Sequence, residues 1–258
     1  MFKRKLIFLM VAATLTACPN AANGGSGGAG TVSGRALDAQ NNPIAGALVW
    51  VKPSLTTGLL KTTTDANGRY HVEGLPTNLP FNVYAWAQPN FQGKKHCLRL
   101  GHDQAADYES FVPTKSVVRD FRWKLEGVIE DRGGDTFFGG ELRLMPVYRH
   151  DGDFNIHANL KINLKLTPVG SFIDGSPGAN IVKTLDWNDT DMAKDIPVGK
   201  YNVSASQTDP NGTSPLEIGT NESTLGAGAT LEFKPADTSC GGNFGNGTAR
   251  AFLSIAHP

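Results

Sequence analysis

From Thr31 onward the chain alternates apolar and polar residues in short stretches, broken by Gly, Pro, Asn and Asp. Val32, Gly34 and Ala36 open one such stretch, and Asn41-Asn42-Pro43 ends it as a turn. Over residues 44–51, Ala47, Val49 and Val51 fall on one face and Leu48 and Trp50 on the other. Residues 61–64 are polar and β-branched, which suits an edge or exposed strand, and Asp65-Ala66-Asn67-Gly68 reads as a tight turn with Gly68 supplying the positive φ. Tyr70 and Val72 begin the next strand, Leu75-Pro76 ends it, and residues 81–87 form another. Residues 117–125 alternate Phe121, Trp123 and Leu125 against Asp120, Arg122 and Lys124, as a closing strand would. Beyond a glycine-rich break at 131–135, residues 160–166 show the cleanest alternation, Leu and Ile inward with Lys and Asn outward. Further strands are predicted at 142–147, 181–187, 201–206, 230–233 and 249–255.

This pattern predicts an all-β chain of two Ig-like or transthyretin-like β-sandwich modules, residues 31–126 and 127–258, each near the usual size for a sandwich of roughly 100 residues. Hydrophobic residues make up 40% of the chain, enough for two cores, and Gly 30 and Pro 15 fit frequent turns. An internal echo links the halves. Leu75-Pro76 followed by Phe81-Asn82-Val83-Tyr84-Ala85 is answered by Ile196-Pro197 followed by Tyr201-Asn202-Val203-Ser204-Ala205. The echo points to a repeat in which the Asp-x-Asn-Gly turn has no counterpart before the second copy.

The segments Gly34-Arg35-Ala36-Leu37-Asp38, Pro43-Ile44-Ala45-Gly46-Ala47, Thr64-Asp65-Ala66-Asn67-Gly68-Arg69-Tyr70 and Leu75-Pro76 resemble, in order and spacing, the carboxypeptidase regulatory-like domain. The resemblance covers residues 31–87. It implies a seven-stranded transthyretin-like sandwich that serves as a structural or adhesive unit, with carbohydrate binding as a role found in related sandwiches. The domain is the accessory part of the enzymes it is named for. The catalytic zinc domain is absent, so the resemblance implies no peptidase activity.

The first residues belong to a different kind of sequence. Lys3, Arg4 and Lys5 precede an apolar run at 6–15, too short for a permanent transmembrane helix. Leu15-Thr16-Ala17-Cys18 then resembles the lipobox of bacterial lipoproteins, which implies cleavage after residue 17 and lipidation of Cys18. The alternative is an ordinary signal peptide followed by an incidental cysteine. Residues 18–30, rich in Gly and Asn, read as a flexible tether. Gly24-Gly25-Ser26-Gly27-Gly28 within it matches G-x-S-x-G in letters only, because a nucleophile elbow needs a strand before it and a helix after it. The expected location is the cell envelope, lipid-anchored. Pro19 is not the Asp associated with inner-membrane retention, so the outer membrane or cell surface is favoured. Loss of residues 1–17 removes three bases and no acids, leaving 21 bases against 24 acids, and this balance gives no basic stripe for nucleic acid. Two cysteines then remain, and outside the cytoplasm Cys97 and Cys240 are expected to pair; two separate buried thiols are the alternative.

Candidate chemistry is sparse. HExxH, P-loop and dinucleotide signatures are absent, and the chain reads as a non-enzyme without cofactors. His96, Cys97, His102 and Asp103 lack a recognised zinc spacing, and His150, Asp151, Asp153 and His157 fit a solvated hairpin tip better than a calcium loop. Asn211-Gly212-Thr213 is a glycosylation pattern with no meaning in a bacterial host. The feature of most interest is aromatic. If Val49, Val51, Phe81, Val83 and Ala85 point inward, then Trp50, Tyr84 and Trp86 share the outer face. That face is either a platform for stacking sugars or a surface covered by residues 88–118 or by the second sandwich, and the commonness of inter-domain contacts favours the covered surface. Phe137-Phe138 is a smaller candidate for partner contact. The expected partners are the membrane, through the lipid, and a polysaccharide or envelope protein.

Overall fold

The structure is a computed structural model and describes residues 28–151, 153–154, 159–236, 240 and 245–258. The expected signal peptide, Cys18, most of the tether and His157 lie outside the described residues.

The first sandwich contains β1 (Val32–Leu37), β2 (Leu48–Pro53), β3 (Leu60–Thr63), β4 (Arg69–Val72), β5 (Phe81–Ala87), β6 (Asn90–Phe91), β7 (Lys94–Lys95), β8 (Leu98–Arg99), β9 (Gly101–His102), β10 (Val117–Val118) and β11 (Phe121–Arg122). One sheet runs β10-β1-β11-β9 with β4 also on β1, and the other runs β3-β2-β5-β8. A short hairpin, β6-β7, stands beside them. The two sheets close on Val32, Ala36, Val49, Val51, Tyr70, Phe81, Val83, Ala85 and Phe121, all buried. The Asp65 turn forms as its residue types require. Its Oδ1 accepts the amides of Asn67 and Arg69 (both 2.8 Å), and Gly68 sits at φ 70°. Tyr70 buries its ring between the sheets, and its hydroxyl donates to the Arg119 carbonyl at 2.7 Å.

That last contact accounts for a difference from the sequence reading. The alternation at 117–125 predicts one closing strand, yet β10 and β11 are separate. Between them the Arg119 carbonyl accepts from Tyr70, and the Asp120 carboxylate accepts the Arg35 amide at 2.7 Å. A side chain thus replaces one rung of the ladder. Gly34 lies at the same crossing, where a Cβ would stand 1.9 Å from the Arg119 oxygen.

The second sandwich contains β12 (Gly140–Pro146), β13 (Lys161–Pro168), β14 (Ile181–Asp186), β15 (Met192–Ile196), β16 (Lys200–Asp209), β17 (Gly212–Gly219), β18 (Ala229–Glu232) and β19 (Ala251–Ala256). The strand order is β14-β13-β16-β17-β19-β12-β15, with β18 on the first half of β16. β17 turns the corner between the two layers: Leu216 pairs with Ala205 of β16, and Ile218 pairs with Ile255 of β19. The echo has a structural counterpart. Phe81, Val83 and Ala85 of β5 and Tyr201, Val203 and Ala205 of β16 all point into their cores.

β15 and β17 are absent from the sequence prediction. β17 carries Pro215, which the ladder tolerates because that part of the strand pairs on one side only, with Ser206. β15 lacks alternation and ends near Asp195, which holds φ 57°. The Asp195 carboxylate accepts the amides of Gly127 (2.9 and 3.0 Å) and Gly139 (3.1 Å), clasping the connection between the sandwiches. Strands before Trp123 pair only among themselves, as do those from Gly140 onward.

Candidate functional site

The outer face of β2 and β5 carries the aromatics that the alternation places there. Trp50 lies opposite Tyr84 and Leu48 opposite Trp86 in the antiparallel register. The ring centroids of Trp50 and Trp86 are 4.9 Å apart, and those of Tyr84 and Trp86 are 6.3 Å apart. Two cations complete the layer. The Lys61 ammonium sits 4.6 Å from the Trp50 ring, and the Arg99 guanidinium sits 4.8 Å from Tyr84 and 5.8 Å from Trp86.

This face is not an open platform. Trp50 is 8% and Trp86 1% exposed, and both pack with Cys97 in one apolar cluster to which Cys240 and Tyr84 are peripheral. Cys97 and Cys240 form a disulfide, with Cα atoms 5.3 Å apart. Cys97 follows the β6-β7 hairpin, which the His96 amide ties to the Pro89 carbonyl at 2.9 Å. Cys240 belongs to the segment returning from β18 toward β19. The grouping of Trp50, Tyr84 and Trp86 thus follows the sequence pattern, but two of the three are cores of a covered layer. Stacking on a ligand requires open ring faces, and those of Trp50 and Trp86 are occupied.

Arg99 anchors the cover. Its side chain is 1% exposed, and Nη2 donates to both oxygens of Asp131, at 2.9 and 3.1 Å. The Arg99 amide donates to the Asn246 carbonyl at 3.2 Å, and at Gly247 (φ 94°) a Cβ would stand 1.8 Å from the Cys97 oxygen. The two backbones therefore touch at a point that only glycine permits. Two open clefts flank the junction. One, of ≈ 310 Å³, is lined by Lys52, Asn82, Tyr84, Asp131 and Arg132. The other, of ≈ 360 Å³, shares Arg132 and includes Phe137, Asn246 and Arg250. Phe138, the second member of the Phe137-Phe138 pair, is buried.

The clusters that could have carried metal chemistry are committed elsewhere. Asp103 pairs with Arg122 at 2.8 Å. His102 lies in the first core, its Nε2 donating to the Val83 carbonyl at 3.1 Å and its ring 4.4 Å from Phe121. Burial pushes His102 down to about 4, and the nearby Arg99 charge adds to this. Burial likewise lowers His96, and Lys94 acts in the same direction. Asp153 accepts the amides of Arg149 and His150, both at 2.9 Å, as a turn former does. Among the described residues no group of three or more His, Cys, Asp or Glu is arranged to hold a metal ion.

Residues 31–109 match the family model of the carboxypeptidase regulatory-like domain. The chain carries a carboxypeptidase regulatory-like domain. The match extends past residue 87, where the motif resemblance ends, and so takes in Cys97 and Arg99 as well as Trp50, Tyr84 and Trp86. No curated protein matches the chain. Among solved structures, the chain is similar to the Bacillus anthracis TIE protein, at 14% identity and a TM-score of 0.33, covering 89% of this chain and 34% of that one. A streptococcal ancillary pilin gives 10% identity and a TM-score of 0.27, covering 88% and 62%. Two B repeat units of the collagen binding protein of Staphylococcus aureus give 10% and 0.24, covering 88% and 49%. The chain thus spans about a third of the length of the first of these, and at such identities the likenesses assign no role.

Proposed function

We propose that the protein is a lipid-anchored, non-catalytic module of the bacterial cell envelope, with a structural or interaction role. The observation that carries this reading is the Cys97–Cys240 disulfide, which spans 143 residues and joins the regulatory-like domain to the far end of the chain. Such a bond persists in an oxidising compartment, and the export signal and lipobox-like Leu15-Thr16-Ala17-Cys18 supply the route there. Several acyl chains on Cys18 would anchor the body stably where one would not. Pro19 favours the outer membrane or cell surface. The non-catalytic part of the reading is supported by the engagement of Asp65, Asp103, His102 and Asp153 in turns, ion pairs and core. A partner is expected among envelope proteins or polysaccharides, met by surfaces other than Trp50 and Trp86.

Feeding native cells a clickable palmitate analogue tests the reading. The mature chain should take up label, Cys18→Ser should abolish it, and tryptic peptides prepared without reductant should show Cys97 joined to Cys240. A soluble, unlabelled product, or two unlinked peptides, overturns it.

A further inference from the structure

The apolar exposure of the first sandwich is concentrated at one end. Between Thr31 and Glu126 the exposed large hydrophobic side chains are Leu55 (78% exposed), Leu59, Leu60, Val112 and Val118. The register places them at one end of the sandwich. Val51 pairs with Leu60, Pro53 pairs with Phe81, and Phe81 forms a bridge with Phe111. The Ser54 amide donates to the Pro80 carbonyl at 2.9 Å. Val118 lies opposite Ser33 at the start of β1.

The chain enters at this same end. The Gly30 amide donates to the Pro113 carbonyl at 2.7 Å, and the Leu75 amide donates to the Gly30 carbonyl at 2.9 Å. Gly30 is therefore bonded beside Val112, and the hairpin bearing Leu55 lies about three strand spacings away, roughly 15 Å. The other end of the same strands, at Ala87 and Leu98, carries the disulfide and the second sandwich.

We infer that the end of the first sandwich formed by the β2-β3 hairpin and the Val112 turn is a membrane-contact surface, seated on the bilayer that holds the chain's own lipid. The inference rests on the proposed acylation of Cys18. Ten Cα–Cα steps lead from Cys18 to Gly28 and span at most about 35 Å when fully extended. An anchor at Cys18 keeps the bilayer within that reach of Gly28, and Leu55 lies only roughly 20 Å further on, so the bilayer is an apolar phase tethered beside this end of the sandwich. Leucines held beside a lipid anchor gain by burial at the headgroup boundary. A second copy of the chain would have to compete with that tethered surface.

The test uses the full mature chain purified from membranes, with Leu55→Cys, Val112→Cys or Val182→Cys carrying an environment-sensitive fluorophore. Val182, 68% exposed, reports from the second sandwich. Intact mass first establishes acylation; an unacylated chain overturns this inference and the proposed function together. The acylated chain is then reconstituted into vesicles of phosphatidylethanolamine and phosphatidylglycerol, with and without brominated acyl chains. The expected result is a blue shift and loss of emission in brominated vesicles at Leu55 and Val112, and neither at Val182. Equal quenching at all three positions, or none, overturns the inference and leaves the anchor reading standing. A blue shift at Leu55 that grows with protein density and is insensitive to bromine assigns the surface to self-association and also overturns it.

Discussion

Strands β2 and β5 run between two ends with opposite treatments of apolar surface. Toward Leu48 and Ala87, the indoles of Trp50 and Trp86 lie under a disulfide and beside a buried ion pair, Arg99–Asp131. Toward Pro53 and Phe81, Leu55, Leu59 and Leu60 stand in solvent. Both sets are apolar side chains at the surface of one sheet. The difference is that a segment about 140 residues downstream returns to cover one set, and nothing among the described residues covers the other. Whether an outward side chain is core or surface is thus decided by long-range closure, which local alternation does not encode.

The covered end depends most on the disulfide. Cys97→Ser with Cys240→Ser reopens a loop of 143 residues, and loop-closure entropy puts the loss at about 3–5 kcal/mol in chemical denaturation. Emission from Trp50 and Trp86 should rise as the neighbouring sulfur pair, which quenches indoles, is lost. Asp131→Ala should cost about 3 kcal/mol, because it removes the carboxylate that balances the buried Arg99 charge, while Arg99→Met combined with Asp131→Leu should recover most of that loss.

Acid sharpens the same contrast from within the core. His102 titrates near 4 when folded and near 6.5 when unfolded, so the unfolded chain takes up the proton first as pH falls. The stability that neutral His102 provides is complete above about pH 6.5 and is lost progressively down to about pH 4, some 3 kcal/mol in all. His102→Asn should flatten the stability profile across that window, apart from the smaller contribution of His96, which shifts in the same direction. At the linker, Asp195→Ala removes the acceptor for the Gly127 and Gly139 amides and should cost about 2 kcal/mol in thermal or chemical unfolding. The smallest effect belongs to the open end. Leu55→Ser should change stability by less than about 0.5 kcal/mol, which separates a surface role from a packing role.

The parts of this molecule that were legible in the sequence are those set by neighbours a few residues away. The Asp65 turn, the inward faces of β2, β5 and β13, and the sharing of one outer face by Trp50, Tyr84 and Trp86 all follow from period two and turn chemistry. The pairing of Cys97 with Cys240 followed from their being the only two cysteines left beyond Cys18. What stayed hidden depends on distant partners. Pro215 disguised β17, since nothing local shows that this stretch lacks a neighbour on one side. The break between β10 and β11 required Tyr70 to reach Arg119 across the sheet. Asp195 had no signal at all, because its role is defined by two glycines more than 50 residues earlier. His102 lay in a polar, irregular stretch, and its burial comes from Phe121 and Tyr108 closing on it.

The covalent link also changes how the molecule bears force. A pull applied between the residues before β1 and those after β19 runs through β1 toward Cys97, crosses to Cys240, and continues through β19. β12 to β18 lie inside the closed loop, off that path. Under tension only the flanks can lengthen, and the bulk of the second sandwich is shielded from mechanical extension for as long as the two sulfurs stay joined.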